Sequence, residues 1–269
     1  MPPALEQALR RRDVMDPSER HEPERRQREA IEAILDATDV PPFERFRAFP
    51  VFTPRVSMAR FLAHYELFKH VIDVPGAIVD LGVYRGASTF TWAKLCEIFC
   101  PTDVRKVVYG FDTFEGFPGL APEDGPVDAA QDVRPGGYHG GAGVEGDLRA
   151  AAAAMDHDRH LRHRPRIEFV KGDATATIPA FAAAKGHGLR VALLNLDVDL
   201  YEPTRVALET FVPLMSPGGV IVLDEYAVDT FGGESKAVDD YFVGRFGRRP
   251  RIRKFAWHSN PSGYIEVDW

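Results

Sequence analysis

The stretch VALLNLDVDLYEPT, Val191 to Thr204, decides the fold. Its first half is an unbroken apolar run of strand length, and its second half carries Asp197 and Asp199 ahead of a helix whose first turn takes Pro203. Unbroken rather than alternating hydrophobicity marks a strand covered on both faces, as in a parallel sheet between helices. Similar runs recur at AIVDLG (77–82), KVVYGFD (106–112), RIEFVKGD (166–173) and GVIVLD (219–224), and segments of helical period lie between them. This alternation predicts an α/β chain with a doubly wound, mostly parallel sheet. After a helix near 235–246, RIRKFAW and GYIEVDW are joined by a short loop containing Ser-Asn-Pro-Ser. So short a connection suits only antiparallel strands, so a C-terminal antiparallel hairpin should close the sheet.

Upstream, residues 1–50 are rich in Arg, Glu and Pro, with a helical stretch at 24–37 and no strand pattern. They read as a helical N-terminal arm before one large domain over 51–269, which opens with an amphipathic helix at 57–72. Arg10, Arg11 and Arg12 read as a solvated or subunit-contacting face, so a homo-oligomer, at least a dimer, is expected. The balance of 40 acidic against 33 basic residues, net −7, argues against a nucleic-acid partner. No apolar run is long enough for a membrane span, and the start MPPALEQALRRRD lacks the core of a signal peptide. A cytoplasmic protein follows, with Cys96 and Cys100 as small reduced hydrophobes on one helix face.

The segment GLAPEDGPVDAAQDVRPGGYHGGAGVEGDL, 119–148, breaks the rhythm with Gly, Pro and acidic residues. Placed after the second strand, at the ligand-binding end of such sheets, it reads as a lid.

Every strand of the parallel set ends at or near an acid: Asp80, Asp112, Asp173, Asp197 with Asp199, and Asp224 with Glu225. In a parallel sheet these ends share one edge, which is the ligand crevice. Asp224 follows Asp197 by 27 residues, room for one crossover helix and one returning strand, so the two acidic ends should be neighbours. Neither motif contains a lysine or arginine. A hard divalent cation, magnesium or else calcium or manganese, would neutralise such an all-oxygen set. Taken singly, Asp199 has the alternative of capping the helix and Glu225 that of facing solvent.

The first strand runs into the glycine-containing turn IVDLGVYRGAS (78–88), which lets a ligand approach backbone closely. It is not the G-x-G-x-x-G dinucleotide fingerprint, and no G-x-x-x-x-G-K-[ST] phosphate loop exists, which opposes a nicotinamide-dependent oxidoreductase. Asp112, 32 residues beyond Asp80, stands where an acid accepts ribose hydroxyls, and Asp173 stands within reach of a purine amino group. A nucleoside ligand without pyrophosphate fits these parts.

Over roughly residues 50–269, in the order VDLGVYRGAST, FDTFEGFP, LDVDLYEPT and SPGGVIVLDEY, the chain resembles the macrocin O-methyltransferase family. Its members are S-adenosylmethionine- and magnesium-dependent enzymes that methylate sugar hydroxyls of macrolides and related natural products. The resemblance implies a class I methyltransferase fold and a sugar or glycoside acceptor, with cofactor-binding roles for Asp80, Gly82, Tyr84, Arg85, Ser88, Asp112, Thr113 and Asp173. It further implies metal ligation by Asp197, Asp224 and Glu225, and an approach of Met58 to the cofactor. Asp199, or Asp197 itself, would take the acceptor's proton, with His139 in the lid as an alternative base. His157, His160 and His163 read as a solvated helix end. An α/β hydrolase is a rival because YHGGAG is similar to esterase oxyanion loops, but no G-x-S-x-G turn occurs. A non-catalytic S-adenosylmethionine-binding module is the other rival.

Overall fold

The computed structural model describes residues 22–128 and 132–269. Arg10, Arg11 and Arg12 of the arm and residues 129–131 of the expected lid lie outside them. The chain divides into two compact units, one ending at Ala59 and one running Arg60–Trp269. The first holds α1 (Glu22–Ala37), α2 (Pro42–Arg47) and α3 (Phe49–Phe52). There the Arg45 guanidinium donates to the carbonyls of Leu35, Thr38 and Val40 and so ties α2 to the end of α1. The helix expected at 57–72 is α4 (Arg55–Lys69).

The second unit continues through β1 (Ala77–Leu81), α5 (Ala87–Phe99), β2 (Val108–Asp112), α6 (Val144–Met155), β3 (Ile167–Lys171), α7 (Ala174–Lys185) and β4 (Val191–Leu196). It ends with α8 (Tyr201–Phe211), β5 (Met215–Leu223), α9 (Gly232–Phe246) and β6 (Gly263–Glu266). The sheet order is β3-β2-β1-β4-β5-β6. The first five strands are parallel, and β6 runs antiparallel to β5, pairing Val220 with Glu266 through Leu223 with Gly263. The doubly wound, mostly parallel sheet and its antiparallel C-terminal end are therefore as read from the sequence. One detail differs: RIRKFAW contributes only the bridge Arg253–Tyr264 beside β6. Its Arg251, Arg253 and Lys254 are exposed, and charges on a sheet edge favour solvent over further pairing.

Alternate residues of each strand turn to opposite faces. Val79, Leu81, Leu194, Leu196, Ile221 and Leu223 pack with Ile178, Leu208, Phe211 and Phe242 of α7, α8 and α9. Ile78, Val108, Leu193, Val220 and Val222 pack with Leu67, Phe68, Trp92 and Leu95 of α4 and α5. Each such side chain contributes roughly 1.5–3 kcal/mol when fully buried, and two covered faces are what the unbroken apolar runs require. From β1 the chain proceeds to β2 on one side and later to β4 on the other, so the order reverses at β1 and opens a crevice beyond the carboxyl ends of β1 and β4.

Candidate active site

The crevice begins at the turn after β1. Gly82 has φ +83°, and a Cβ there would lie 1.7 Å from the Asp197 carbonyl oxygen. Only glycine lets the ends of β1 and β4 come this close. Beneath the turn, the buried Asp80 carboxylate accepts hydrogen bonds from Ser88 Oγ at 3.0 Å, from Asn195 Nδ2 at 2.7 Å and from Thr89 Oγ1. It thereby ties β1, β4 and the start of α5 together. Burial pushes its carboxyl up to about 7 against the opposing effect of these bonds. Across the turn, Asp112 accepts the Tyr84 N–H at 2.8 Å and the Phe114 N–H at 2.6 Å. Asp173 caps α7 by accepting the Thr175 N–H and hydroxyl, both at 2.8 Å.

A cavity of about 300 Å³ has Gly82, Tyr84, Ser88, Asp112, Thr113 and Asp173 on its walls, together with Asp197, Asp199, Asp224 and Glu225. Of the residues expected to hold the cofactor, two stand elsewhere in this unit, and Met58 belongs to the other unit. Asp80 lies under the turn, off the cavity wall, because its oxygens are taken by Ser88, Thr89 and Asn195. Arg85 is exposed, donates to the Gly140 carbonyl at 3.1 Å and lies over the Tyr84 ring at 5.1 Å. Met58 is half-buried in the first unit.

The absence of a cation from the two acidic motifs does not mean that the site lacks one. Arg60 of α4 reaches in from 137 residues away, and its Nη2 donates to Asp197 Oδ2 at 2.6 Å. The same nitrogen donates to Asp224 Oδ1 and Oδ2 at 3.1 and 3.2 Å. Burial, then the charge of Asp224, raises the Asp197 carboxyl above the ordinary range. Burial likewise raises Asp199, with Asp197 and Glu225 adding to it. Asp224 is pushed up to about 6 and Glu225 to about 7, again mainly by burial. Asp199 is buried at φ +61° and does not cap α8, whose N-cap is Leu200. Glu225 is half-buried, accepts from Asn260 Nδ2 at 3.2 Å and donates its N–H to Glu234 Oε1 at 3.1 Å. Among the described residues, no three His, Cys, Asp or Glu side chains stand ready to hold a metal together. The acids gather round Arg60 instead.

The described residues of the expected lid carry more backbone hydrogen bonds than its composition suggests. The Phe117 N–H donates to the Gly137 carbonyl at 2.9 Å, and the Gly136 N–H donates to the Phe117 carbonyl at 2.8 Å. Asp128 and Val133 form an antiparallel bridge, and residues 144–148 already open α6. Asp124 caps α8 from this loop, accepting the Tyr201 N–H at 2.6 Å. Among the described residues of the lid, Tyr138 is on the cavity wall, packed against Phe117 at 5.3 Å and Phe231 at 5.9 Å between ring centroids. Burial, then the charges of Asp199 and Glu225, pushes its hydroxyl up to about 12. His139 is exposed and not part of the wall, and His157, His160 and His163 are exposed as read. Sequence reasoning missed Arg60, Tyr138, Asn260 and Glu234. For Arg60 the available signal was a cation, with His64 four residues on, interrupting an apolar helix pattern; Asn260 and Glu234 carry no local signal.

A family model described as macrocin-O-methyltransferase (TylF) matches residues 56–245. An 8-demethyl-8-(2,3-dimethoxy-alpha-L-rhamnosyl)-tetracenomycin-C 4'-O-methyltransferase of Streptomyces olivaceus is 33% identical over 174 residues, 65% of this chain and 60% of that one. The mycinamicin III 3''-O-methyltransferase of Micromonospora griseorubida is 27% identical over 156 residues, 58% of this chain and 57% of its own. The chain thus spans less than two thirds of the length of these relatives. The crystal structure of the calicheamicin methyltransferase CalS11 has a TM-score of 0.83 at 27% identity over 94% of both chains. An apo structure of CalS11 names it a TDP-rhamnose 3'-O-methyltransferase.

Proposed function

The chain belongs to the macrocin-O-methyltransferase (TylF) family, and from that premise we propose that it is an S-adenosylmethionine- and divalent-metal-dependent O-methyltransferase. Its acceptor would be a deoxysugar hydroxyl, on a nucleotide-linked sugar or on a natural product, in antibiotic biosynthesis. The observation that carries this reading is one cavity shared by the Gly82 turn, Asp112 and Asp173 on one side and Asp197, Asp199, Asp224 and Glu225 on the other. The names of the relatives support the sugar acceptor.

The residues present suit both cofactors. The backbone of the turn, left free of side-chain bulk at Gly82, with Asp112 and Asp173 behind it, suits a nucleoside rather than a pyrophosphate. Asp197, Asp224 and Glu225 offer oxygen donors only, and their charge exceeds that of the single Arg60 beside them, which is the chemistry of a magnesium site. When bound, S-adenosylmethionine supplies a methyl group on a positive sulfur, and the divalent ion acidifies and orients the acceptor hydroxyl. Asp199, buried on the wall with a raised affinity for protons, would accept the proton that the acceptor hydroxyl gives up. Tyr138, Phe117 and Phe231 form an aromatic side of the cavity suited to the apolar face of a sugar ring and to keeping water out.

The arm-and-domain division belongs to the same reading, since every residue of the cavity lies in the unit Arg60–Trp269. So does a homo-oligomer, supported by Phe43, Phe46 and Val51 of the first unit, each more than 70% exposed. A cytoplasmic setting is supported by the free Cys96 and Cys100; among the described residues no helix is long and apolar enough to cross a membrane.

The test is incubation with labelled S-adenosylmethionine, magnesium and a panel of nucleotide-linked and natural-product-linked deoxysugars. Label in a sugar is expected, and Asp197→Asn or Asp224→Asn should lower turnover by at least about 10³-fold while calorimetry still detects cofactor binding. Cofactor binding without transfer to any acceptor would favour a non-catalytic module.

A further inference from the structure

Arg60 is held more loosely than Arg166, another arginine of the second unit set against an acid. Arg166 is almost fully buried and is fixed by three nitrogens, which donate to Glu97 Oε1 and to the carbonyls of Asp103, Lys106 and Pro101. Arg60 is fixed by one. Its Nη2 makes all the contacts with Asp197 and Asp224, its Nε is buried without a hydrogen-bond partner, and its side chain is 33% exposed. Such a guanidinium neutralises its neighbours yet can leave without breaking a wider network.

The place it holds is the one that matters. A cation ligated by both Asp197 and Asp224 stands within roughly 2.0–2.6 Å of their oxygens. Nη2 already lies 2.6 Å from one of these carboxylates and 3.1 Å from the other. An ion on Asp197 Oδ2 and Asp224 and the guanidinium therefore exclude one another. Without either, the acids would face each other uncompensated in a buried crevice.

We propose that Arg60 is a built-in counter-cation: it neutralises Asp197 and Asp224 while no divalent ion is bound, competes with that ion for the same oxygens, and withdraws toward the cavity when the ion binds. Arg60 thus sets the metal affinity of the site and keeps the metal-free fold stable. This rests on the reading of Asp197 and Asp224 as metal ligands.

The experiment is calorimetric titration of manganese and magnesium into the full-length chain, wild type, Arg60→Met and Arg60→Lys, without S-adenosylmethionine, with Tm recorded beside each titration. Arg60→Met should bind manganese at least tenfold more tightly than wild type, and Arg60→Lys should fall between them. Metal-free Arg60→Met should melt several degrees lower, and manganese should raise its Tm more than that of wild type. Equal or weaker affinity in Arg60→Met overturns the competition and leaves the metal reading intact. No binding to any of the three chains overturns the metal reading and this proposal with it. Should Arg60→Met not fold, a crystal structure of the wild type with manganese decides. Nη2 withdrawn from both carboxylates is expected, and an ion bound while Nη2 still bridges them contradicts the proposal.

Discussion

Asp124 Oδ1 accepts the Tyr201 N–H at 2.6 Å, so a carboxylate of the loop after β2 caps the helix that follows Asp197 and Asp199. Its other oxygen accepts the Ala121 N–H at 2.7 Å, which fixes the loop to itself. The lid and the acidic edge are thus mechanically joined. Asp124→Ala should cost about 1–2 kcal/mol and lower Tm by a few degrees, with a raised KM for the acceptor. Differential scanning calorimetry checks it, and an unchanged Tm would contradict the capping role.

Gly82 is the tightest point of the crevice. An alanine Cβ there would sit 1.7 Å from the Asp197 carbonyl oxygen, at a φ of +83°. The left-handed backbone alone costs an L-residue roughly 1–2 kcal/mol, and the overlap must in addition drive β1 and β4 apart. Gly82→Ala should abolish S-adenosylmethionine binding in calorimetry and lower Tm markedly. Wild-type affinity in this variant would refute the close approach.

Asp80 gives the metal-free chain a pH dependence with a definite sign. Its carboxyl is raised from 3.8 to about 7, chiefly by burial. The unfolded chain releases this proton near pH 4 while the folded chain keeps it, so stability is greatest at the acidic end of this window and falls as pH rises through about 7. A displacement of about three pH units corresponds to on the order of 4 kcal/mol. Asp224, raised to about 6, and Glu225, raised to about 7, act in the same direction. Tm should fall between pH 5 and pH 8, and Asp80→Asn should flatten part of that slope. A Tm rising over this range contradicts the assignment.

Among the described lid residues, Tyr138 and not His139 is on the cavity wall. Tyr138→Ala should raise the acceptor KM about tenfold or more by removing an aromatic surface, with cofactor affinity within twofold of wild type. His139→Ala should leave the pH–rate profile unchanged. Loss of the alkaline or acidic limb in His139→Ala would instead restore that histidine as a proton acceptor.

What could be read from the sequence follows from the range over which each signal acts. The unbroken run from Val191 to Leu196 forces both faces to be covered, so the parallel sheet was legible from hydrophobicity alone, and so was the gathering of Asp197, Asp199, Asp224 and Glu225 at one edge. Asp80 ends its run like the others, but whether its oxygens face a ligand or the Ser88, Thr89 and Asn195 side chains depends on tertiary contacts with no spacing rule. The pairing of Arg60 with these acids was hidden for the same reason, since a cation 137 residues distant leaves no mark on the acidic motif, whatever it marks in its own helix. The lid's order comes from loop-to-loop backbone pairing such as Phe117 with Gly137, which composition does not encode.

On the proposed reading, acids at the ends of β4 and β5 work through a divalent ion beside the methyl donor. The most direct measurement is the rate of label transfer from S-adenosylmethionine to an accepted sugar, in magnesium, in excess chelator, and after magnesium is restored. A fall of at least about 100-fold in chelator, recovered on adding magnesium back, is expected. An undiminished rate in chelator would contradict metal-dependent transfer.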